Sequence, residues 1–234
     1  MTTSETSALP KPYYSHAGIT IYHADCRLVL PHVKADCVVS DVPYGQSWKA
    51  PNAIKTAAGN RGLNGNWISS GEACPRSIVG DDEPFDPKPL LDLGLPTLLW
   101  GAHKYSDRLP PGRWLVWDKR VDLPPNDFGD GEIAWLRGDG AVRIFRHRWN
   151  GLVIEPNTEE SERKPGSSSA KARLHPHQKP VALMRWCLGF VPEGIVLDPY
   201  MGVGTTLLAA KLEGRKAIGI EIEERYCEIA ARRL

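Results

Sequence analysis

Short apolar runs recur along the chain and alternate with segments whose apolar residues return every three to four positions. Ile19–His23, Cys37–Ser40, Thr97–Trp100, Trp114–Trp117, Ile195–Asp198 and Ala217–Ile220 are compact apolar runs that predict strands. Glu132–Leu136 and Val142–Phe145 predict a further, antiparallel pair. Helical spacing predicts helices near Pro87–Leu93, His103–Leu109, Pro180–Phe190, Gly204–Glu213 and Glu223–Arg233. Strands alternating with helices build a mostly parallel sheet covered on both faces. The expected fold class is α/β, with an antiparallel edge pair.

Two segments break the pattern. Gln46 to Asp86 is long, rich in Gly, Asn and Ser, and carries Lys49, Lys55, Arg61 and Arg76. Glu155 to Leu174 is polar, with Ser167-Ser168-Ser169 at its centre. Long irregular loops within a compact domain are functional or disordered. Residues 46–86 are expected to form a loop that contacts the substrate and recognises the target, and residues 155–174 a mobile linker. The chain has 234 residues, 41% hydrophobic and 24% charged, which fits one domain over 1–234.

Composition narrows the chemistry. No run approaches the roughly 20 apolar residues of a membrane span, and the Thr/Ser-rich start lacks the order of a signal peptide. A cytoplasmic protein without a membrane partner is expected. Five scattered cysteines, Cys26, Cys37, Cys74, Cys187 and Cys227, form no C-x-x-C pair, so reduced thiols and no metal are expected. The net charge of +1 does not announce a polyanionic partner across the whole surface. Locally, Arg143, Arg146, His147 and Arg148 surround Ile144, Phe145 and Trp149. That mixture suits phosphates and bases, and equally suits an edge strand with a solvated face.

Two motifs carry the candidate chemistry. The run Ile195–Asp198 leads through Pro199-Tyr200-Met201 into Gly202-Val203-Gly204, and a helix then opens at Thr205-Thr206. Glycines at a strand-to-helix turn let the backbone approach a nucleotide-like cofactor. Glu221, ending the next strand about 20 residues on, is placed to bind ribose hydroxyls. A dinucleotide site would need a small residue at position 207, which is Leu207. Asp198 at the mouth suits a cation, and S-adenosyl-L-methionine carries a sulfonium, an ammonium and no phosphate. His175-Pro176-His177-Gln178-Lys179-Pro180 leads into the preceding helix. Pro180 suits a first turn, and Lys179 can reach an amino-acid carboxylate. Read by itself, the segment is a helix-entry loop.

The earlier motif, Asp41-Val42-Pro43-Tyr44, ends a predicted strand, where open α/β sheets place ligands. The exocyclic amine of adenine or cytosine is a poor nucleophile because its lone pair is delocalised. Hydrogen bonds to the Asp41 carboxylate and to a carbonyl at Val42 or Pro43 favour a tetrahedral nitrogen. Tyr44 offers a face for an extruded base, and Pro43 fixes the turn. Taken alone, the four residues are better read as a strand ending in a Pro-Tyr turn, and the cofactor loop in the same chain reverses that preference. The absence of any Pro-Cys argues against cytosine-C5 chemistry, which needs a cysteine nucleophile.

In this order the motifs resemble the beta-class amino-group DNA methyltransferases, whose D-P-P-Y motif precedes the cofactor motif in a circularly permuted arrangement. An H-P-T-Q-K-P-like element leads into the latter, matching His175–Pro180. The resemblance runs from about Ile19 to the C-terminus. It implies a Rossmann-like methyltransferase fold, S-adenosyl-L-methionine as cofactor and double-stranded DNA as partner. Asp41, Pro43 and Tyr44 are then catalytic. Asp25 and Cys26 flank the cofactor adenine and Glu221 holds its ribose. Asp198, Tyr200, Gly202, Gly204, Thr205 and Thr206, with His175, Lys179 and Asp41, complete the cofactor site. Without the family, Asp25 is a cap on a short helix around Arg27–Leu30. Val42 stands where the family has proline, which loosens the turn, and His177 where it has threonine.

An Asp at the first motif position points to adenine N6 over cytosine N4. The compact chain also resembles methyltransferases carried by bacteriophages, which would work in the host cytoplasm, and the family implies a homodimer. RNA or protein amide acceptors, an inactive nucleic-acid binder and a nicotinamide oxidoreductase are the competing readings.

Overall fold

The computed structural model describes residues 8–46, 55–56, 59–60, 79–122, 129–150, 153–154 and 178–234. His175, His177, Cys74, the 155–174 segment and most of 46–86 lie outside the described residues.

Among the described residues, nine strands form one sheet: β1 (Tyr14–His16), β2 (Ile19–His23), β3 (Cys37–Asp41), β4 (Thr97–Trp100), β5 (Gly112–Asp118), β6 (Gly131–Arg137), β7 (Arg143–Arg146), β8 (Val196–Asp198) and β9 (Ala217–Glu221). Their order across the sheet is β1-β2-β9-β8-β3-β4-β6-β5-β7. The run β2-β9-β8-β3-β4 is parallel throughout. The helices are α1 (Cys26–Val29), α2 (Lys88–Leu91), α3 (Val181–Leu188), α4 (Thr205–Leu212) and α5 (Glu224–Arg233).

The central strands are apolar at successive positions because both faces of a parallel sheet are covered. Alternate residues of one strand serve opposite cores. Val39, Leu98 and Trp100 pack with Leu183, Leu207 and Cys227 from α3, α4 and α5. Val38 and Leu99 pack with Val29 and Leu90 from α1 and α2. Burying a side chain of this size contributes about 1.5 to 3 kcal/mol, so these two layers dominate the fold. Cys26, Cys37, Cys187 and Cys227 are buried and unbridged.

Three details differ from the sequence expectation. Residues 132–136 do not pair with 142–145: β6 lies between β4 and β5, antiparallel to both, and β7 pairs parallel with β5 at the sheet edge. The seven-pair β5–β6 register buries Ala134, Trp135 and Leu136, which leaves the exposed β7 for the rim. The antiparallel pair at an edge is instead β1 with β2; β1 is three residues long and too polar to register as an alternation. The expected helix over His103–Leu109 is two 3-10 turns, Ala102–Lys104 and Ser106–Arg108. Tyr105 breaks it, adopting a non-helical conformation while its hydroxyl donates to the Trp100 carbonyl at 2.8 Å. No described helix is long and apolar enough to cross a membrane.

Candidate active site

Four adjacent parallel strands bring acidic groups to their carboxyl ends. Asp25 follows β2, Glu221 ends β9, Asp198 ends β8 and Asp41 ends β3. Open α/β sheets bind ligands at this edge, where strand order reverses about the first βα unit. A cleft of about 670 Å³ opens there, lined by Asp25, Cys26, Asp41, Val42, Pro43, Tyr44, Tyr200, Gly202 and Glu221 among others. Its far wall is the segment from Val79 to Asp86. Among the described residues of this lining, Arg27 is the one basic side chain beside many carboxylates. Such a cleft favours a cation and disfavours phosphate.

On the cofactor side, Gly202 and Gly204 have φ of 50° and 75°, and a Cβ on Gly202 would meet nothing within 4 Å. The loop therefore leaves open space where a ligand can lie against the backbone. Gly202 N–H donates to Glu221 Oε2 at 3.0 Å and Glu223 N–H to Oε1 at 2.8 Å. Burial pushes the Glu221 carboxyl up to about 6 against these bonds. Asp198 is 2% exposed. Burial raises it to about 6, opposed by hydrogen bonds from Thr206, Ser40 and the Tyr200 N–H. Asp25 caps α1 through Arg27 N–H at 2.9 Å, and the Arg27 side chain holds its carboxyl below the usual range. A hydrogen bond joins Cys26 to Tyr200, and Phe85 meets the Tyr200 ring edge-on at 5.7 Å.

Leu207 explains why this is not a dinucleotide loop. It is fully buried against β9, and a Cβ on Gly219 would lie 2.7 Å from its Cδ2. The small residue that lets helix and strand approach sits on the strand here, and the bulky one on the helix.

On the catalytic side, Asp41 accepts from the Tyr44 hydroxyl at Oδ1, 2.6 Å, and from Lys179 Nζ at Oδ2, also 2.6 Å. Lys179 donates to the Tyr44 oxygen at 3.0 Å and pairs with Glu132 Oε2 at 3.0 Å. Glu132 pairs in turn with Lys119 at 2.8 Å. The Tyr44 ring lies over Gly101, where a Cβ would come within 1.9 Å of the ring. One oxygen of the buried Asp81 accepts three successive backbone N–H bonds, from Tyr44, Gly45 and Gln46 at 2.9, 2.8 and 3.2 Å. Val42, placed where the family has proline, is 3% exposed and packs into the core under α1 and α2. The packed Val42 and the Asp81 grip restrain the turn that proline would otherwise stiffen.

The structure thus gathers Asp25, Cys26, Asp41, Pro43, Tyr44, Tyr200, Gly202 and Glu221 on one cleft. Asp198 and Thr206 lie buried behind it, and Gly204 and Thr205 lead into α4. Lys179 is placed against Asp41 and Glu132, at the catalytic end. His175 lies outside the described residues. Asp81, Glu132 and Gly101 were not singled out in the sequence; the lone acid in the otherwise apolar run from Glu132 to Leu136 was the available sign for Glu132. In β7 the arginines Arg143 and Arg146 face solvent, while Phe145 packs on Trp186 at 5.3 Å and Trp149 is buried. The aromatic residues of that cluster therefore serve the core.

Comparison with known proteins shows the family. The DNA methylase family of the N6/N4 type matches residues 34–232. The type II methyltransferase M.ScaI of Streptomyces caespitosus is 27% identical over 97% of this chain and 84% of its own length. M2.DpnII of Streptococcus pneumoniae is 48% identical over 51% of this chain and 41% of its own. Among solved structures, the fold is shared with the M1.HpyAVI complex with S-adenosyl-L-methionine at TM-score 0.51, 22% identical, over 92% of this chain and all of that one. It is also shared with the cytosine-N4-specific PvuII DNA methyltransferase at 0.55, 14% identical, over 96% and 89%. The chain belongs to the N6/N4 family of DNA methylases, enzymes that use S-adenosyl-L-methionine to methylate the exocyclic amine of a base.

Proposed function

We propose that this enzyme methylates adenine at N6 in double-stranded DNA, on a base turned out of the helix into the cleft. The observation that carries the reading is the Asp41 carboxylate at the end of β3, beside Tyr44 and facing the cofactor loop. The residues present fit S-adenosyl-L-methionine: an acidic cleft for its positive groups, an open glycine turn, and Glu221 for its ribose. When bound, it supplies an electrophilic methyl group on a sulfonium.

Asp41 accepts one amine hydrogen, and a carbonyl of Val42 or Pro43 accepts the other. The nitrogen lone pair is freed from the ring to take the methyl group that S-adenosyl-L-methionine would supply, and the surplus proton of the amine would pass along its hydrogen bond to Asp41 and on to water. Tyr44 stacks on the base and excludes water. No covalent bond to the protein is formed.

We further assign residues 46–86 to target contact, the 155–174 segment to a linker, and residues 1–234 to one methyltransferase domain. Arg143 and Arg146 are assigned to the DNA backbone. The enzyme works in the cytoplasm, as a homodimer. The test is to incubate the protein with unmethylated genomic DNA and isotopically labelled S-adenosyl-L-methionine and to resolve the nucleosides by mass spectrometry. Label in N6-methyladenine is the expected result. Label in N4-methylcytosine would keep the mechanism and change the base, and no label in any nucleoside would overturn the reading.

A further inference from the structure

Lys179 is an unusual cation. It is 5% exposed, and 138 residues separate it in sequence from the carboxylate it touches. A buried ammonium needs compensation, because desolvation of an unpaired charge costs several kcal/mol. It has two carboxylates, Asp41 at 2.6 Å and Glu132 at 3.0 Å, and the Tyr44 hydroxyl at 3.0 Å. Burial works against its charge, but Asp41 and Glu132 outweigh it and raise its pKa. Glu132 behaves likewise: burial pushes it up, and Lys179 and Lys119 more than reverse this, leaving it at about 2. Its partners spend the capacity of Lys179 for charge at the catalytic end of the site. Lys179 is also absent from the lining of the cleft in which the cofactor is placed.

The two oxygens of Asp41 are used differently. Lys179 holds Oδ2 with a fixed charge, while Oδ1 is held by the Tyr44 hydroxyl, a neutral donor on a side chain that must turn its face to a base. Resting on the amino-methyltransferase reading above, we propose that Lys179 is a positioning residue for Asp41: it anchors Oδ2, so that Oδ1 is surrendered by Tyr44 and given to the amine of the target base. Glu132 holds Lys179 from the other side. Lys179 then acts through Asp41, and the carboxylate of the cofactor is bound elsewhere.

The test compares wild type with K179M, D41N and the double variant. Calorimetric titration with S-adenosyl-L-methionine should show K179M within about threefold of wild type, with single-turnover methyl transfer reduced about 10²-fold. K179R should recover part of the rate. The double variant should be no slower than D41N, since both remove one interaction. A tenfold or greater loss of cofactor affinity in K179M with its maximal rate preserved would overturn the proposal, as would rate losses that simply multiply. K179M leaves two carboxylates facing one another, so K179M/E132Q, which removes one charge of each sign, is the companion variant if K179M does not fold; the same rate loss is expected.

If wild type transfers no methyl group to DNA, RNA or protein, the enzymatic reading fails, and that outcome is separate from this one. Thermal unfolding of the same four proteins then decides it. The expected result is destabilisation by K179M that largely disappears in the D41N background; fully additive shifts would overturn the pairing.

Discussion

The Ser40 hydroxyl donates to Asp198 Oδ1 at 2.7 Å across 158 residues of sequence. Ser40 precedes Asp41, the proposed catalytic carboxylate, and Asp198 opens the proposed cofactor loop, so one buried bond ties the two halves of the candidate site together. Ser40→Ala should cost about 1 to 3 kcal/mol in urea unfolding, because it leaves a buried carboxylate short of a donor. Removing a donor to the charged form also disfavours ionised Asp198, so cofactor affinity should fall with it.

The pH dependence of cofactor binding follows from Glu221 and Asp198, both raised to about 6 by burial. A carboxyl whose folded value is raised contributes stability that is full below its unfolded value and lost as pH rises through the folded one. In the free protein these two groups therefore withdraw stability between about pH 4 and 6. A cationic ligand favours their ionised forms, so S-adenosyl-L-methionine should bind several-fold more tightly at pH 7 than at pH 5, and Glu221→Gln should flatten that trend. Calorimetric titration across this range is the measurement.

Asp41→Ala should lower methyl transfer by about 10³-fold while leaving cofactor affinity nearly unchanged. Labelled methyl transfer and calorimetry on the same preparation check both halves.

Gly101→Ala should displace the Tyr44 ring, since the new methyl would sit 1.9 Å from it on a backbone at φ 72°. A loss in maximal rate of about 10²-fold is expected from such a misplacement. Cofactor titration should show affinity retained, and thermal unfolding a lower midpoint.

Arg143→Ala combined with Arg146→Ala should weaken DNA binding and reduce its salt dependence by about one to two counterions. Cofactor affinity should not move. An unchanged salt slope in a filter-binding series would return β7 to the role of a solvated edge.

The parallel strands were legible because each is a short, mostly apolar run that is largely buried on both faces. The three motifs were legible because their residues are adjacent in sequence. The partners that complete the site were not. Asp81 reaches the catalytic loop from 37 residues away, and Lys179 reaches Asp41 from 138, contacts with no local periodicity to betray them. Lys179 shows the difference: its motif was visible, but its partner depends on where β3 and β6 place Asp41 and Glu132. The β6 pairing was misread for the same reason, since alternation reveals a strand and not its neighbour.

Asp81 has one more consequence. By binding the N–H groups of residues 44 to 46, it brings the chain back to the point from which it departed. The turn that carries Tyr44 is thereby fastened through its own backbone by a single carboxylate. Because the grip is on main-chain N–H groups, it does not depend on which side chains residues 45 and 46 carry. The loop beside Asp41 is thus pinned like a hinge at its knuckle, its shape set before any ligand arrives.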